Sequence, residues 1–163
     1  MMIRKKQKIV TKFEEDSRML PFVQFTVDGK KDKYVALIDS GSEATLLDTK
    51  VSDSLRDSVN YRAYKTDNMV FDGLGGSVNE TDGNLFSMLI TIKTDKNEDW
   101  NIPVAGAIMD MTSMQEAFSR AIPDAHIAMI IGSDSLERMN AKIDYKKKEV
   151  VLYGILGDKE AEN

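Results

Sequence analysis

Asp39 is a candidate catalytic residue because of its position in the sequence. It ends the apolar run ALI and is followed at once by Ser40, Gly41 and Ser42. A buried strand that ends on a carboxylate would hold the acid at the floor of a cleft, and Gly41 would let the backbone turn sharply. The hydroxyls of Ser40 and Ser42 could hydrogen-bond the carboxylate or the adjacent backbone. The pattern fits a catalytic carboxylate, and it also fits an ordinary strand, Asx-turn and strand.

A second candidate is the glycine-rich segment FDGLGGS, residues 71–77. Its residues Gly73, Leu74, Gly75 and Gly76 lie at the tip of a predicted hairpin, where glycines can bend and bring backbone amides against a ligand. The segment is not a dinucleotide fingerprint, because Val78 stands where the last glycine belongs, and no Gly-Lys-Ser/Thr of a P-loop follows. We therefore predict a mobile lid.

The third candidate is the element Ile130-Ile131-Gly132. Its apolar residues predict a strand that runs through Gly132 directly into a short helix. Ser133 or Asp134 is the predicted N-cap of that helix.

Short strands separated by turns are predicted along most of the chain. Apolar and polar residues alternate over 20–27 and 85–93, and an apolar run covers 34–39. AKIDY and EVVLY flank three lysines, which predicts a hairpin with a solvated basic tip.

Two further helices are predicted. Apolar residues recur at helical spacing over 111–122. Thr112 with Gln115 and Ser113 with Glu116 both fit a capping box at its start. A shorter helix is predicted near 48–56. The sequence thus predicts a mainly β domain with two or three short helices.

Composition limits the function. A chain of 163 residues and 18.3 kDa predicts one domain rather than two lobes with separate cores. Its 22 basic and 27 acidic residues give a net charge of −5, which argues against binding to nucleic acid or an anionic membrane. The N-terminus lacks the pattern of a secretory signal, and the apolar runs are shorter than the ~20 residues that span a bilayer. We expect a soluble, cytoplasmic protein.

The sequence argues against a metal site and against a serine or cysteine nucleophile. There is no cysteine, and His126 is the only histidine. A zinc site would need unusual carboxylate ligation, and a Ser-His-Asp triad would lack the G-x-S-x-G elbow. We expect His126 to pack at the start of a strand, the acidic run 95–99 to form a solvated turn, and the protein to need no metal or cofactor.

Taken in order, the segments IDSGS, GLGG and IIGSDSLERM resemble the signature of the retropepsin family of aspartic proteases. The resemblance covers roughly residues 20–153. It implies a retropepsin-like acid protease barrel over 20–156, an N-terminal segment 1–19 with a possible interface strand, and a flexible tail 157–163. It also implies a glycine-rich flap at Gly73–Gly76 that closes over a peptide or protein substrate.

The resemblance further implies a homodimer. Two aspartates hold the catalytic water in this family, and the chain has one Asp-Ser-Gly segment, so each of two subunits would contribute Asp39. KIVTKF and EVVLYGIL are candidate interface strands with unpaired edges. The function implied is an aspartic endopeptidase. The alternative is a catalytically inactive module of the same fold that binds peptide or serves in assembly.

The chain departs from the compact viral members in two ways. A longer segment covers 95–126, which we expect to add a strand and the 111–122 helix. Ser42 stands where the viral enzymes have alanine. A Ser42 hydroxyl donating to the Asp39 carboxylate would favour its ionised form, which predicts an activity optimum on the acidic side of neutrality.

Overall fold

A computed structural model describes residues 6–12, 14–15, 21–65, 84–119 and 126–155. Most of this part of the chain is strand, and three short helices interrupt it, which confirms the mainly β prediction. The elements run in chain order as follows: β1 (Lys6–Lys12), β2 (Glu14–Glu15), β3 (Pro21–Phe25), β4 (Tyr34–Ile38), β5 (Leu46–Asp48), α1 (Thr49–Ser54), β6 (Tyr61–Tyr64), β7 (Leu85–Lys93), β8 (Asp99–Met109), α2 (Thr112–Ser119), β9 (Ile127–Ile131), α3 (Ser133–Arg138), β10 (Lys142–Asp144) and β11 (Glu149–Ile155).

The strands form two sheets. Eight strands lie in the order β2-β3-β4-β9-β5-β8-β7-β6, and three lie in the order β1-β11-β10. Strand β9 lies between β4 and β5, parallel to β4 and antiparallel to β5. The chain therefore leaves β4, passes around the end of β9 and returns as β5 on the other side.

Strands β4 and β9 are buried on both faces. Ile38 and Ile131 belong to the larger apolar cluster, which also contains Phe86. Leu37 and Ile130 belong to a second cluster on the opposite face. Because successive side chains of a strand point to opposite faces, a strand between two clusters has a continuous apolar run, which explains why YVALI and IAMII lack alternation.

Helix α2 covers the second cluster, with Phe118 buried in it and Met114 packed against it. Both expected capping boxes are wrong, because Thr112 and Ser113 lie inside the helix and not at its N-cap. Thr112 lies within the first turn, and its backbone N–H and hydroxyl both donate to Asp110 Oδ1, at 2.9 and 2.5 Å. These hydrogen bonds lower the pKa of Asp110 from its usual value. The side chain of Gln115 instead pairs with the backbone of Ile127, whose N–H lies 2.9 Å from Oε1.

The predicted segment 85–93 coincides with β7, in which Phe86, Met88, Ile90 and Ile92 are buried. Strand β8 follows after a tight turn at 94–98, so the acidic run does form a solvated turn. The hairpin of β10 and β11 also has the predicted basic tip, where Lys148 has a positive φ of 53°.

The expectation of an unpaired edge at EVVLYGIL is wrong. Strand β11 lies between β1 and β10, and it pairs with β1 over seven residue pairs, from Lys6 with Ile155 to Lys12 with Glu149. This pairing buries Ile9 against Val150 and Leu152 in the larger cluster. The two candidate interface strands thus pair with each other within one chain, because their apolar faces complete the same core.

Within the described ranges, no helix is long and apolar enough to cross a membrane.

Candidate active site

Asp39 lies directly after the last residue of β4, at the edge where the chain starts around β9. Its backbone N–H donates to the carbonyl oxygen of Ile131 at 3.0 Å, which fixes it beside the end of β9. Its side chain is half-buried, and Oδ1 accepts the backbone N–H of Gly41 at 2.9 Å. The turn closes with a bond of 3.1 Å from Ser42 N to Asp39 O. The carboxylate is thus oriented by its own turn and remains accessible, as a general acid or base requires.

The turn is anchored to the start of α3. The backbone N–H of Ser133 donates to the carbonyl oxygen of Ser42 at 2.7 Å. Gly132 is the N-cap of the helix, in place of the predicted Ser133 or Asp134. A Cβ on Gly132 would lie 2.7 Å from the Ser42 carbonyl oxygen and closer still to that of Ala44. Glycine is therefore needed here because two carbonyl groups of the Asp39 loop approach its Cα.

Thr45 is fully buried and connects the end of this loop to α3, including its N-cap, and to β8. Its hydroxyl donates to Asp134 Oδ1 at 2.7 Å, accepts the N–H of Gly132 at 3.1 Å and lies 2.6 Å from Ser135 Oγ. Its backbone N–H donates to Asp134 Oδ2 at 3.2 Å, and its carbonyl accepts the N–H of Ala107 at 2.9 Å. The loop is therefore held at its far end as well as at the turn.

Gly106 allows the last of these contacts. A Cβ on Gly106 would lie 2.7 Å from the carbonyl carbon of Thr45. The absence of a side chain in the middle of β8 lets β8 approach the Asp39 loop closely.

The sequence suggested that Asp134 is an ordinary N-cap residue, but in the structure it has a different role. Both of its carboxylate oxygens accept hydrogen bonds from Thr45, and Oδ1 also accepts the N–H of Ser135 at 2.7 Å. Asp134 therefore braces the loop, and its oxygens are already engaged.

Ser42 does not hydrogen-bond the Asp39 carboxylate, contrary to our expectation. Its hydroxyl donates to the carbonyl oxygen of Ala44 at 2.8 Å. The turn brings the Ala44 carbonyl within reach two residues later, and the Gly41 N–H serves the carboxylate instead. Ser40 is exposed on the same turn.

His126 does not pack at a strand start. Half of its side chain is exposed, and Nε2 lies 3.2 Å from Oδ2 of the buried Asp48. Asp48 also accepts the N–H of Met111 at 3.1 Å. This pair joins the end of β5 to the segments before α2 and β9, and it contains neither Asp39 nor its turn.

The predicted flap, Gly73, Leu74, Gly75 and Gly76, lies outside the described residues. Of the other site residues, Asp39, Ser40, Gly41 and Ser42 form one turn, and Ile131 and Gly132 contact that turn. Ile130 lies one residue earlier on β9 and is buried in the second cluster. Among the described residues, no group of three or more histidine, aspartate or glutamate side chains could hold a metal ion.

Replacing Thr45 with valine tests the loop anchor. Valine keeps the shape but loses the hydroxyl, which leaves the Gly132 N–H unpaired in a buried position and removes one bond to Asp134. We expect the free energy of unfolding to fall by about 2–4 kcal/mol, as measured by chemical denaturation. Thr94→Val is the matched control, because the Thr94 hydroxyl serves an exposed turn. Its expected loss is below about 1 kcal/mol, and equal losses in the two variants would contradict a special role for Thr45.

Thr45, Asp134, Ser135 and Gly106 are site residues that sequence reasoning missed. The one available signal was Gly106 inside the apolar run IPVAGAIM, because a glycine within a strand indicates close backbone approach. Threonine and aspartate are common in turns and helix caps, so nothing in the local sequence identifies Thr45 and Asp134 as parts of the loop anchor.

No family model matches the chain. No curated protein matches it either. Among solved structures, it is similar to a retropepsin-like aspartic protease from Rickettsia conorii, with 13% identity, a TM-score of 0.44, and coverage of 96% of this chain and 98% of that one.

This chain is similar to retropepsin-like proteins of known structure. A second retropepsin-like neighbour is the retroviral protease-like domain of Ddi1 from Leishmania major, at 14% identity and a TM-score of 0.43, covering 85% of this chain and 95% of that one. A third is EIAV protease complexed with the inhibitor HBY-793, at 20% identity and a TM-score of 0.38, covering 88% of this chain and 95% of that one.

Proposed function

We propose that the protein is an aspartic endopeptidase with an active site formed by two copies of the chain, each contributing Asp39. The observation that carries this proposal is the setting of Asp39. Its carboxylate ends a strand buried on both faces, is oriented by the Gly41 N–H and remains half-exposed. A residue with a purely structural role would not need a carboxylate that is both rigidly oriented and accessible to solvent.

The need for a second copy follows from the count of available carboxylates. The chain has one Asp-Ser-Gly segment. Asp134, the acidic residue in the hydrogen-bond network that anchors the loop, has both oxygens engaged by Thr45. A two-fold axis beside Asp39 would supply an identical carboxylate in the same geometry. The resulting enzyme would be a homodimer.

The proposed mechanism uses the two carboxylates differently. Two carboxylates a few ångström apart cannot both ionise cheaply, so the pair shares one proton. The ionised Asp39 takes a proton from a water molecule, and the protonated Asp39 of the other subunit donates to the carbonyl oxygen of the scissile peptide. The oxygen of the water adds to the carbonyl carbon and gives a gem-diol. When the gem-diol collapses, the Asp39 that took the proton from water donates it to the leaving amine, and the other Asp39 accepts a proton from a gem-diol hydroxyl. No covalent intermediate with the protein is formed.

Three further parts of the proposal concern the remaining chain. Gly73–Gly76 would form a flap that covers the peptide and excludes water. The catalytic domain would span 20–156, after an N-terminal segment 1–19 and before a tail 157–163. We propose that the protein acts in the cytoplasm on peptide or protein substrates.

A cleavage assay on an unfolded protein substrate, over about pH 4 to 7, tests the proposal. We expect the wild-type protein to cleave and the Asp39→Asn variant to be inactive. Asp32→Asn is the matched control, because Asp32 is an exposed aspartate just before the other end of the same strand, β4. A folded wild-type dimer that cleaves nothing would contradict the protease and support a non-catalytic peptide-binding module instead.

Ser42→Ala is expected to leave the pH dependence of cleavage unchanged. The Ser42 hydroxyl donates to Ala44 O and not to Asp39, so its removal does not alter the hydrogen bonding of the catalytic carboxylate. The loss of one neutral hydrogen bond would lower the free energy of unfolding by about 1 kcal/mol. The measurement is kcat/KM as a function of pH. An upward movement of the acidic limb in the variant would show that the hydroxyl reaches the carboxylate in the working enzyme.

A further inference from the structure

A cavity of about 580 Å³ lies between the sheet of β6, β7 and β8 on one side and α3 with Tyr153 of β11 on the other. Its volume is within the range of roughly 300–1,000 Å³ that is typical of small-molecule sites. Among the described residues that line it, the cavity contains no part of the Asp39 turn.

The register of the strands explains part of the floor of this cavity. Arg62 of β6 pairs with Ser87 of β7, which pairs with Ala105 of β8. Paired residues project to the same face of a sheet, so these three form one row. Ser87 and Ala105 are small, which leaves space above the middle of the row, and Leu89 and Pro103 form the neighbouring row.

The charged side chains among the described residues that line the cavity are all basic. Arg62 and Arg138 both line the cavity, and no acidic residue is among the described residues that do. Both arginines are exposed, and within the described part of the chain neither has a hydrogen bond or an ion pair through its side chain. Two guanidinium groups at one cavity, neither with a side-chain partner among the described residues, contrast with a chain whose net charge is −5.

The rim of the cavity is apolar. The described chain has four large apolar side chains that are exposed, and two of them, Val59 at 92% and Tyr153 at 38%, line this cavity. Met88 and Met139 lie deeper and are buried. An exposed apolar rim beside unpaired cations is typical of a surface that receives a ligand with an apolar and an anionic part.

We propose that this cavity binds a small amphipathic carboxylate. The guanidinium groups of Arg62 and Arg138 hold the carboxylate, for which the planar fork of arginine is suited. The apolar part of the ligand covers Leu89, Pro103 and Tyr153. The size of the cavity and its mixed lining favour a small molecule over a folded partner.

The cavity also touches the network that anchors the Asp39 loop. Ser135 lines it, and Ser135 Oγ lies 2.6 Å from the hydroxyl of Thr45. A ligand that contacts α3 therefore lies one hydrogen bond away from the loop anchor.

Calorimetric titration of the full chain with octanoate tests the proposal, and octan-1-ol serves as the uncharged probe of the same length. We expect saturable binding of one octanoate per chain and at least about tenfold weaker binding of the alcohol. Arg62→Gln and Arg138→Gln should each weaken octanoate binding about tenfold. Lys96→Gln, which removes a positive charge at the exposed β7–β8 turn, should not. Because binding is the readout, the result does not depend on whether the protein is a protease.

NMR of methionine methyl groups locates the ligand. At saturation the resonances of Met88 and Met139 should shift, and that of Met114, which packs in the second cluster, should not. The proposal is overturned if octanoate fails to saturate, if both arginine variants bind it like the wild type, or if the alcohol binds equally well.

Discussion

At a fixed total concentration of subunits, replacing half of the wild-type subunits with Asp39→Asn subunits is expected to reduce peptide cleavage to about one quarter, not one half. If each dimer needs two Asp39 carboxylates, only the dimers formed by two wild-type subunits are active. Free exchange of equal amounts makes about one quarter of the dimers of that type. The pure variant should lose activity by at least about 10²–10⁴-fold, because both the general base and the general acid are removed.

Exchange of subunits is measured independently by fluorescence energy transfer between labelled chains. Asp32→Asn subunits, mixed in the same way, should leave the activity at its full value. With complete exchange, one half of the activity would mean that each subunit works with its own Asp39, and three quarters would mean that one Asp39 per dimer is enough. Either value would disprove the shared site even though Asp39 is catalytic.

Gly132→Ala is expected to prevent stable folding or to lower the free energy of unfolding by more than about 3 kcal/mol. The added Cβ would meet two backbone carbonyl groups of the Asp39 loop, at Ser42 and Ala44, and neither can rotate away as a side chain can. The same movement would break the 2.7 Å bond from Ser133 N to Ser42 O. Denaturant titration and near-UV circular dichroism measure the effect.

Gly29→Ala is a suitable comparison for this variant. A Cβ at Gly29 would have no atom within 4 Å, and the substitution is opposed only by the positive φ of 68°. Its expected cost is about 1–2 kcal/mol. If Gly132→Ala were no more destabilising than Gly29→Ala, the loop would have to be able to move away from α3, and the rigid support of Asp39 would be disproved.

Much of the strand pattern could be predicted from the sequence because it depends on neighbouring residues. Segment 85–93 alternates along its whole length and is a strand over that same range. Asp39 also lies where predicted, at the end of an apolar strand and before a turn. These features follow from side-chain period and turn chemistry, which are local.

The support of the candidate site could not be predicted in this way. The contacts of Thr45 with Gly132, Asp134 and Ser135 join residues that are 87 to 90 positions apart, and no local pattern encodes them. The position of β9 between β4 and β5 could not be predicted either, because it depends on which apolar strands pair over a long distance in the chain. The prediction for the Ser42 hydroxyl failed for a local reason. From the sequence a serine at this position could donate to either the Asp39 carboxylate or a nearby carbonyl, and only the backbone geometry selects the carbonyl of Ala44.

The distance along the chain between the Asp39 loop and its support has a consequence during synthesis. At roughly 5–20 residues per second, a ribosome needs about 5–20 s to add the residues that separate Thr45 from Ser135. During that time the loop has neither Asp134 nor the N-terminus of α3 to hold it, and β4 has no β9 beside it. On the proposed mechanism, the nascent chain would have no proteolytic activity until nearly the whole domain has been made.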